Sequence, residues 1–334
     1  MRTLRALPVA VVTGTVAALL LSACGTTEEA GAAEPTGSAD TAAGGPVTIT
    51  DDRGEEVTLD APATDVVSLE WGLTENLLTL GVTPVGQADV KGYNVWATAE
   101  PLDASVPDVG MRGEPSLDAI AALDADLVVT TTDLPEEVIA QLEEQVPVIA
   151  LRGSDASDPI GHMRRTVEVL GEATGTTEAG EQALADFDAK VDEAKTALDE
   201  AGLAGASYTM ADGWLSDGAV SIRMYTEGSY LGGIAGLLGL KNAWTGEGDP
   251  DYGLGSTDVE GLTALGEGVH FLYVANDTDG GDAFTEGLAG NAIWEQLPFV
   301  AAGDVHRLPD GIWMFGGPAS GEAWIDATVA ALTK

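Results

Sequence analysis

Glu178–Ala201, EAGEQALADFDAKVDEAKTALDEA, is the stretch that decides the fold. Its apolar residues Ala183, Leu184, Phe187, Val191, Ala194 and Leu198 recur at spacings of three and four, which marks one stripe of an α-helix. About 24 residues at ~1.5 Å each give a rod of roughly 36 Å, the width of a small domain. Strand and helix signals alternate on both sides of it. A rod of that length in mid-chain joins two lobes rather than sitting inside one.

On the N-terminal side, Gly161–Leu170 reads as a second helix, separated from the rod by a Gly/Thr-rich break at Gly171–Thr177. Before that come a hairpin signal (Val47–Thr50, a turn at Asp52–Gly54, Val57–Leu59) and an apolar run at Val66–Leu69. Helices are predicted at Thr74–Leu80, Ser116–Leu123 and Pro135–Gln145, and strands at Asp126–Thr130 and Val148–Ala150. On the C-terminal side, strands are predicted at Ser207–Ala211, Val220–Tyr225, Val269–Val274 and Val305–Leu308. Helices are predicted at Ser229–Leu238, Ala292–Leu297 and Pro318–Leu332. The loops at Gly246–Gly255 and Asp277–Asp282 are rich in Gly and Asp. The expected fold class is α/β: two lobes, each with a central, mainly parallel sheet flanked by helices, joined by a long interdomain helix. The expected boundaries are an N-terminal lobe at 46–158, linker helices at 159–203 and a C-terminal lobe at 204–334.

The N-terminus reads differently. Arg2 and Arg5 precede an apolar run from Leu7 to Leu21, and Leu21-Ser22-Ala23-Cys24 closes it. This is the pattern of a secretory signal, residues 1–23, too short for a convincing transmembrane span. Cys24 is the one cysteine of the chain, so neither an intrachain disulfide nor a Cys-based zinc site is available. The small residues before it resemble the lipobox of bacterial lipoproteins, which implies lipidation at Cys24 and placement on the extracytoplasmic face of the cell membrane. Residues 24–45 carry no apolar periodicity and read as a flexible tether.

The 334 residues include 14 Lys+Arg against 55 Asp+Glu, a formal charge of −41. A nucleic-acid groove needs clustered cations, and there are none. An anionic lipid surface would repel the chain, so any membrane contact runs through the anchor. The acidity suits a saline habitat or an acidic proteome equally. No G-x-S-x-G elbow, P-loop or dinucleotide fingerprint is present. His162, His270 and His306 fall in three separate segments and read as individual histidines rather than a metal site. The Asp277–Asp282 loop lacks the full EF-hand pattern and reads as a solvated acidic turn.

Two features carry binding chemistry instead. Arg112, in a loop before a helix, and Arg223, at a strand end, are scarce cations on opposite sides of the rod. Their guanidinium donors suit an anionic or oxygen-rich ligand. Trp71, Tyr93 and Trp96 in the first half, and Trp214, Tyr225 and Trp313 in the second, mostly follow strands or sit in loops. In open α/β sheets, ligands collect beyond the carboxyl ends of strands.

With these features in place, the chain resembles the substrate-binding lipoproteins of ABC importers, of the helical-backbone (class III) type, over about residues 46–333. The likeness runs through Asp65–Gly72, Thr74–Val82, Gly110–Asp126 (GMRGEPSLDAIAALDAD), Arg223–Leu240, Asn291–Arg307 and Leu308–Ser320 (LPDGIWMFGGPAS), the last closest to the ferric-siderophore branch. The resemblance implies a cleft between lobes that close little and contact of Arg112 and Arg223 with an iron(III)–siderophore complex. It implies no enzyme activity, no cofactor, no protein ligand to the iron, and a monomer that hands its cargo to a permease. Between Lys241 and Arg307 there is no Lys or Arg, which favours a near-neutral hydroxamate-type complex over a highly anionic one. The resemblance also implies permease docking through one glutamate per lobe. Glu75 matches the first; Gly233 stands at the second, with Glu227 nearby. A cobalamin or haem receptor on the same fold is the alternative, with Tyr93 and Tyr225 as haem-ligand candidates. A secreted hydrolase is a remote one.

Overall fold

The computed structural model describes residues 44–216 and 218–334. The expected signal sequence, Cys24 and nearly all of the expected tether lie outside the described residues. No described helix is long and apolar enough to cross a membrane.

The described chain opens with an antiparallel hairpin, β1 (Val47–Thr50) and β2 (Glu56–Leu59). Buried Asp51 organises its turn by accepting from the Arg53 and Glu55 amides at 2.9 and 3.1 Å, and from the Ala150 amide at 3.2 Å. Then follow β3 (Val66–Ser68), α1 (Trp71–Thr79), β4 (Gly86–Gln87) and α2 (Val90–Trp96). A miniature hairpin, β5 (Gly110–Met111) with β6 (Glu114–Pro115), carries Arg112 in its turn. The lobe ends with α3 (Leu117–Ala121), β7 (Leu127–Thr131), α4 (Glu136–Glu143) and β8 (Val148–Leu151). Its sheet has the order β4-β3-β7-β8 and is parallel throughout. The central strands β3 and β7 and the edge strand β8 are buried on both faces, as their largely apolar runs require.

Helix α5 (Pro159–Thr174) starts on Asp158, which accepts from the Gly161 amide at 3.0 Å, and stops at Gly175 with φ 70°. The rod, α6 (Thr177–Glu200), follows within one residue of its expected bounds. The second sheet is built from β9 (Ser207–Ser216), β10 (Ala219–Tyr225), β11 (Lys241–Asn242), β12 (Leu254–Thr257), β13 (Val269–Tyr273) and β14 (Val305–Arg307), with α7 (Tyr230–Leu237), α8 (Pro298–Ala302) and α9 (Pro318–Leu332). Its order is β12-β10-β9-β13-β14, with β11 beside the first residues of β9. β11, β13 and β14 pair in parallel, whereas β9, β10 and β12 form an antiparallel flank.

Three local readings needed revision. The Gly/Asp-rich loop 246–255 ends in the edge strand β12. Helix α2 was not foreseen: it begins at Asp89 with φ 55°, and Asp89 caps it by accepting from the Gly92 amide at 3.0 Å. The helix expected at Ala292–Leu297 shrinks to a single 3-10 turn, Trp294–Gln296, because Pro298 forces Leu297 into an extended conformation and starts α8 instead.

One apolar core runs from Ile49 to Leu332 and includes residues of α1, α5, α6, α7 and α9, so both sheets rest on the same helical layer. Helix α9 lies against the rod where Phe187 is fully buried. Gly321 permits that approach, since a Cβ there would come within 2.9 Å of the Phe187 ring.

Glu75 belongs to this layer, and its expected docking role is withdrawn. It is completely buried on the inner face of α1. Its carboxylate accepts from the Gly317 amide at 2.8 Å, the Ser320 amide at 3.1 Å and the Ser320 hydroxyl. Helix α9 has no side-chain cap of its own, so Glu75 caps it from across the core. No permease arginine can reach such a group. Gly233 packs on Pro159 and Ile160 of α5, where a Cβ would meet Pro159 at 2.9 Å. Glu227 is exposed.

Burial pushes the Glu75 carboxyl up to about 7, against three hydrogen bonds that favour the anion. The native state therefore holds a proton that the unfolded chain releases near 4.5, and stability from this group falls as pH rises from about 4.5 to 7. We expect Glu75→Gln, which mimics the protonated acid, to match the wild type near pH 4.5. It should gain on the wild type by pH 8, on the order of 3 kcal/mol. Urea denaturation across that range checks this, and parallel curves for the two proteins would contradict it.

Candidate ligand-binding site

A hollow of about 480 Å³ opens beyond the carboxyl ends of the parallel strands of both sheets. A neighbouring space of about 230 Å³ shares Arg223, Trp313 and Phe315 with it. A third space, beside Glu70 and His162, measures only about 40 Å³, room for a water or two and not for a chelate.

Six of the eight residues expected at the site line the hollow: Trp71, Trp96, Arg112, Trp214, Arg223 and Trp313. Trp71 is the first residue of α1, directly after β3, and its ring meets Trp313 edge-on at 4.8 Å. The Arg112 guanidinium lies 3.9 Å from the centre of the Trp71 ring and 5.4 Å from that of Trp313. Its Nη1 donates to both oxygens of Glu70, at 2.9 and 3.2 Å. The same carboxylate caps α1 by accepting from the Trp71 amide at 3.0 Å. Burial raises the Glu70 carboxyl, and Arg112 opposes the rise.

The opposite wall repeats this arrangement on the β9–β10 hairpin. Arg223 stands directly across from Asp212 in the register. Its Nε donates to Asp212 Oδ1 at 2.9 Å, and its Nη2 to Oδ2. The guanidinium also lies 5.3 Å from the Phe315 ring and 5.9 Å from that of Trp214. Trp214 is about half exposed. The third wall is the loop after β13. There Trp96 Nε1 donates to Asp279 at 2.8 Å and Asn276 donates to the Val95 carbonyl at 3.0 Å, tying the loop to the end of α2. Asp277–Gly280 of this loop are exposed, as expected of a solvated turn, but its last residue is not. Asp282 is buried, caps the next turn through the Phe284 and Thr285 amides, and accepts from the Tyr273 hydroxyl at 2.9 Å.

The two tyrosines do not line the hollow. Tyr93 is fully buried in the core and donates to the Glu100 carbonyl at 2.6 Å. Tyr225 is also fully buried, and its hydroxyl donates to Asp212 at 3.2 Å, behind Arg223. Both were nominated as aromatics outside the apolar cores, but Tyr93 lies on the buried face of α2, and Tyr225, on the same face of β10 as Arg223, is covered by the Arg223–Asp212 pair. Glu70, Asp212, Asp279 and Phe315 were missed. Phe315 was legible two residues beyond Trp313. Asp212 needed the strand to continue past Ala211, because only then does it face Arg223.

The sequence pattern of the periplasmic binding protein family matches residues 66–311. The chain belongs to that family. Among relatives of this periplasmic binding protein, the iron(3+)-hydroxamate-binding protein FhuD of Escherichia coli (strain K12) is 27% identical over 257 residues, 76% of this chain and 82% of the relative. The probable siderophore-binding lipoprotein YfiY of Bacillus subtilis (strain 168) is 25% identical over 316 residues, 90% of each chain. The crystal structure of the Fe3+–Desferal-bound siderophore-binding protein FhuD from Vibrio cholerae superposes with a TM-score of 0.71 at 26% identity. That match covers 81% of this chain and 98% of the other.

Losing either arginine leaves a largely desolvated carboxylate. Because Arg223 is about a third exposed, we expect Arg223→Met to cost about 1–3 kcal/mol, below the range for a fully buried pair. A second substitution, Asp212→Asn, should restore part of that loss. Urea unfolding of the single and double variants checks this, and additive losses would contradict it.

Proposed function

We propose that this periplasmic binding protein captures an iron(III)–siderophore complex of the hydroxamate type and delivers it to an ABC permease. The observation that carries the reading is the charge balance of the hollow. Arg112 and Arg223 are each held by a carboxylate, Glu70 and Asp212, and Asp279 adds a third acid to the walls. Three hydroxamate groups neutralise ferric iron, so their complex meets these acids without repulsion; three catecholates leave a trianion that does not. Among the described residues, Arg112 has no protein partner for Nε or Nη2, and Arg223 none for Nη1, so each keeps donors for a chelate oxygen. The iron(3+)-hydroxamate-binding relative of E. coli and the Desferal-bound relative of V. cholerae point to the same ligand class.

The haem reading loses both tyrosines on which it rested, since neither reaches the hollow. In our reading the chain binds without bond chemistry and acts as a monomer. Residues 1–23 direct export and Cys24 carries the lipid. Residues 24–45 tether lobes at 46–158 and 204–334, joined through 159–203, to the extracytoplasmic face of the membrane. The lipoprotein name of the B. subtilis relative supports the anchor.

Titrating a ferric trihydroxamate into the full chain should quench tryptophan fluorescence and saturate at one equivalent. Arg112→Ala and Arg223→Ala should each weaken binding about ten- to a hundredfold, the worth of a charge-assisted hydrogen bond. Unchanged affinity in both variants would remove the arginines from the site. In cells, Cys24→Ser should move the protein from the membrane fraction to the soluble one; retention at the membrane would contradict the lipid anchor.

A further inference from the structure

The structure brings two of the three histidines, His270 and His306, together, while His162 lies apart from them. His270 lies on β13, Asp304 lies just before the neighbouring edge strand β14, and His306 is the middle residue of that strand. Phe271 pairs with Val305 and Leu272 with His306. Residues two apart on a strand share a face, so His270, Asp304 and His306 all emerge on the face that carries Leu272. One ligand atom from each comes within 4.8 Å of the other two, and all three residues are half-buried. His270 Nδ1 lies 3.8 Å from Asp304 Oδ1, too long for a hydrogen bond. His270 Nδ1 and His306 Nε2 are both shielded from solvent and have no hydrogen-bond partner among the described residues. Two orphaned imidazole nitrogens facing a carboxylate are costly as a purely structural arrangement.

We propose that His270, Asp304 and His306 form a binding site for a divalent transition-metal ion of the zinc class, separate from the ligand hollow. Two imidazoles and one carboxylate are a recurrent donor set for such ions, and the fourth position is left to water. Contraction of about an ångström, through the side-chain torsions, brings donors from these separations to coordination distance. The ion would cross-link β13 to a three-residue edge strand. From that strand departs the segment 308–317, which delivers Trp313 and Phe315 to the hollow. The inference does not rest on the siderophore reading.

The test is calorimetric titration of the untagged full chain with Zn2+ alone, paired with the visible spectrum of the Co2+ form. One equivalent should bind with imidazole-type cobalt transitions and raise the melting midpoint. His270→Ala and His306→Ala should each weaken binding by more than about tenfold, since loss of even outer-sphere partners costs 10–100-fold. Asp304→Asn, which keeps shape and packing, covers the case in which a histidine variant unfolds, and should also weaken binding. His162→Ala should bind as the wild type does. Zn2+ affinity unchanged in all three site variants, or binding spread over many weak equivalents with no Co2+ spectrum, would overturn the site. Ferric-trihydroxamate titration of His306→Ala separates the two sites, because the hollow does not use this residue.

Discussion

Each arginine of the hollow arrives with its counter-charge built in. Glu70 grips Arg112 against two indoles, and Asp212 grips Arg223 across a strand pair. A chain of formal charge −41 could not otherwise keep two guanidinium groups aimed at one hollow, because free carboxylates would compete for them from every side. The paired acids orient the guanidinium planes and leave their remaining N–H groups for a ligand. They also lower the net positive potential, and so select against highly anionic cargo.

The frame that holds these walls is shared. The rod α6, its neighbours α5 and α9, and α1 and α7 contribute to one core, and Glu75 of α1 caps α9 from within it. Moving one lobe against the other would expose that carboxylate's partners and break the continuous apolar layer. The cost argues for a rigid receptor, whose specificity is set by a preformed surface rather than by closure.

The rod and the flanking alternation were legible because helical periodicity over 24 residues leaves little choice, and α6 falls within one residue of its expected bounds. The final helix, Pro318–Leu332, was equally clear from its proline start. Short elements were not: α2 hangs on a left-handed Asp89, and β12 hides in a Gly/Asp-rich segment. At the site, tryptophans beyond strand ends were well marked. Tyr93 and Glu75 were misplaced because composition and spacing do not say which face of an element is buried, and Tyr225 because the Arg223–Asp212 pair covers it. The pairing of Asp212 with Arg223, and the meeting of His270 with His306, depend on strand register, which no single segment encodes.

The most direct measurement compares two ferric complexes of similar size on the full chain, a neutral trihydroxamate and a trianionic triscatecholate, by tryptophan quenching over a range of salt concentrations. The account predicts tight hydroxamate binding that barely changes with salt, and catecholate binding that is weaker at low salt and improves as screening increases. Tight catecholate binding that salt weakens, with no hydroxamate binding, would contradict a hollow whose arginines are already balanced.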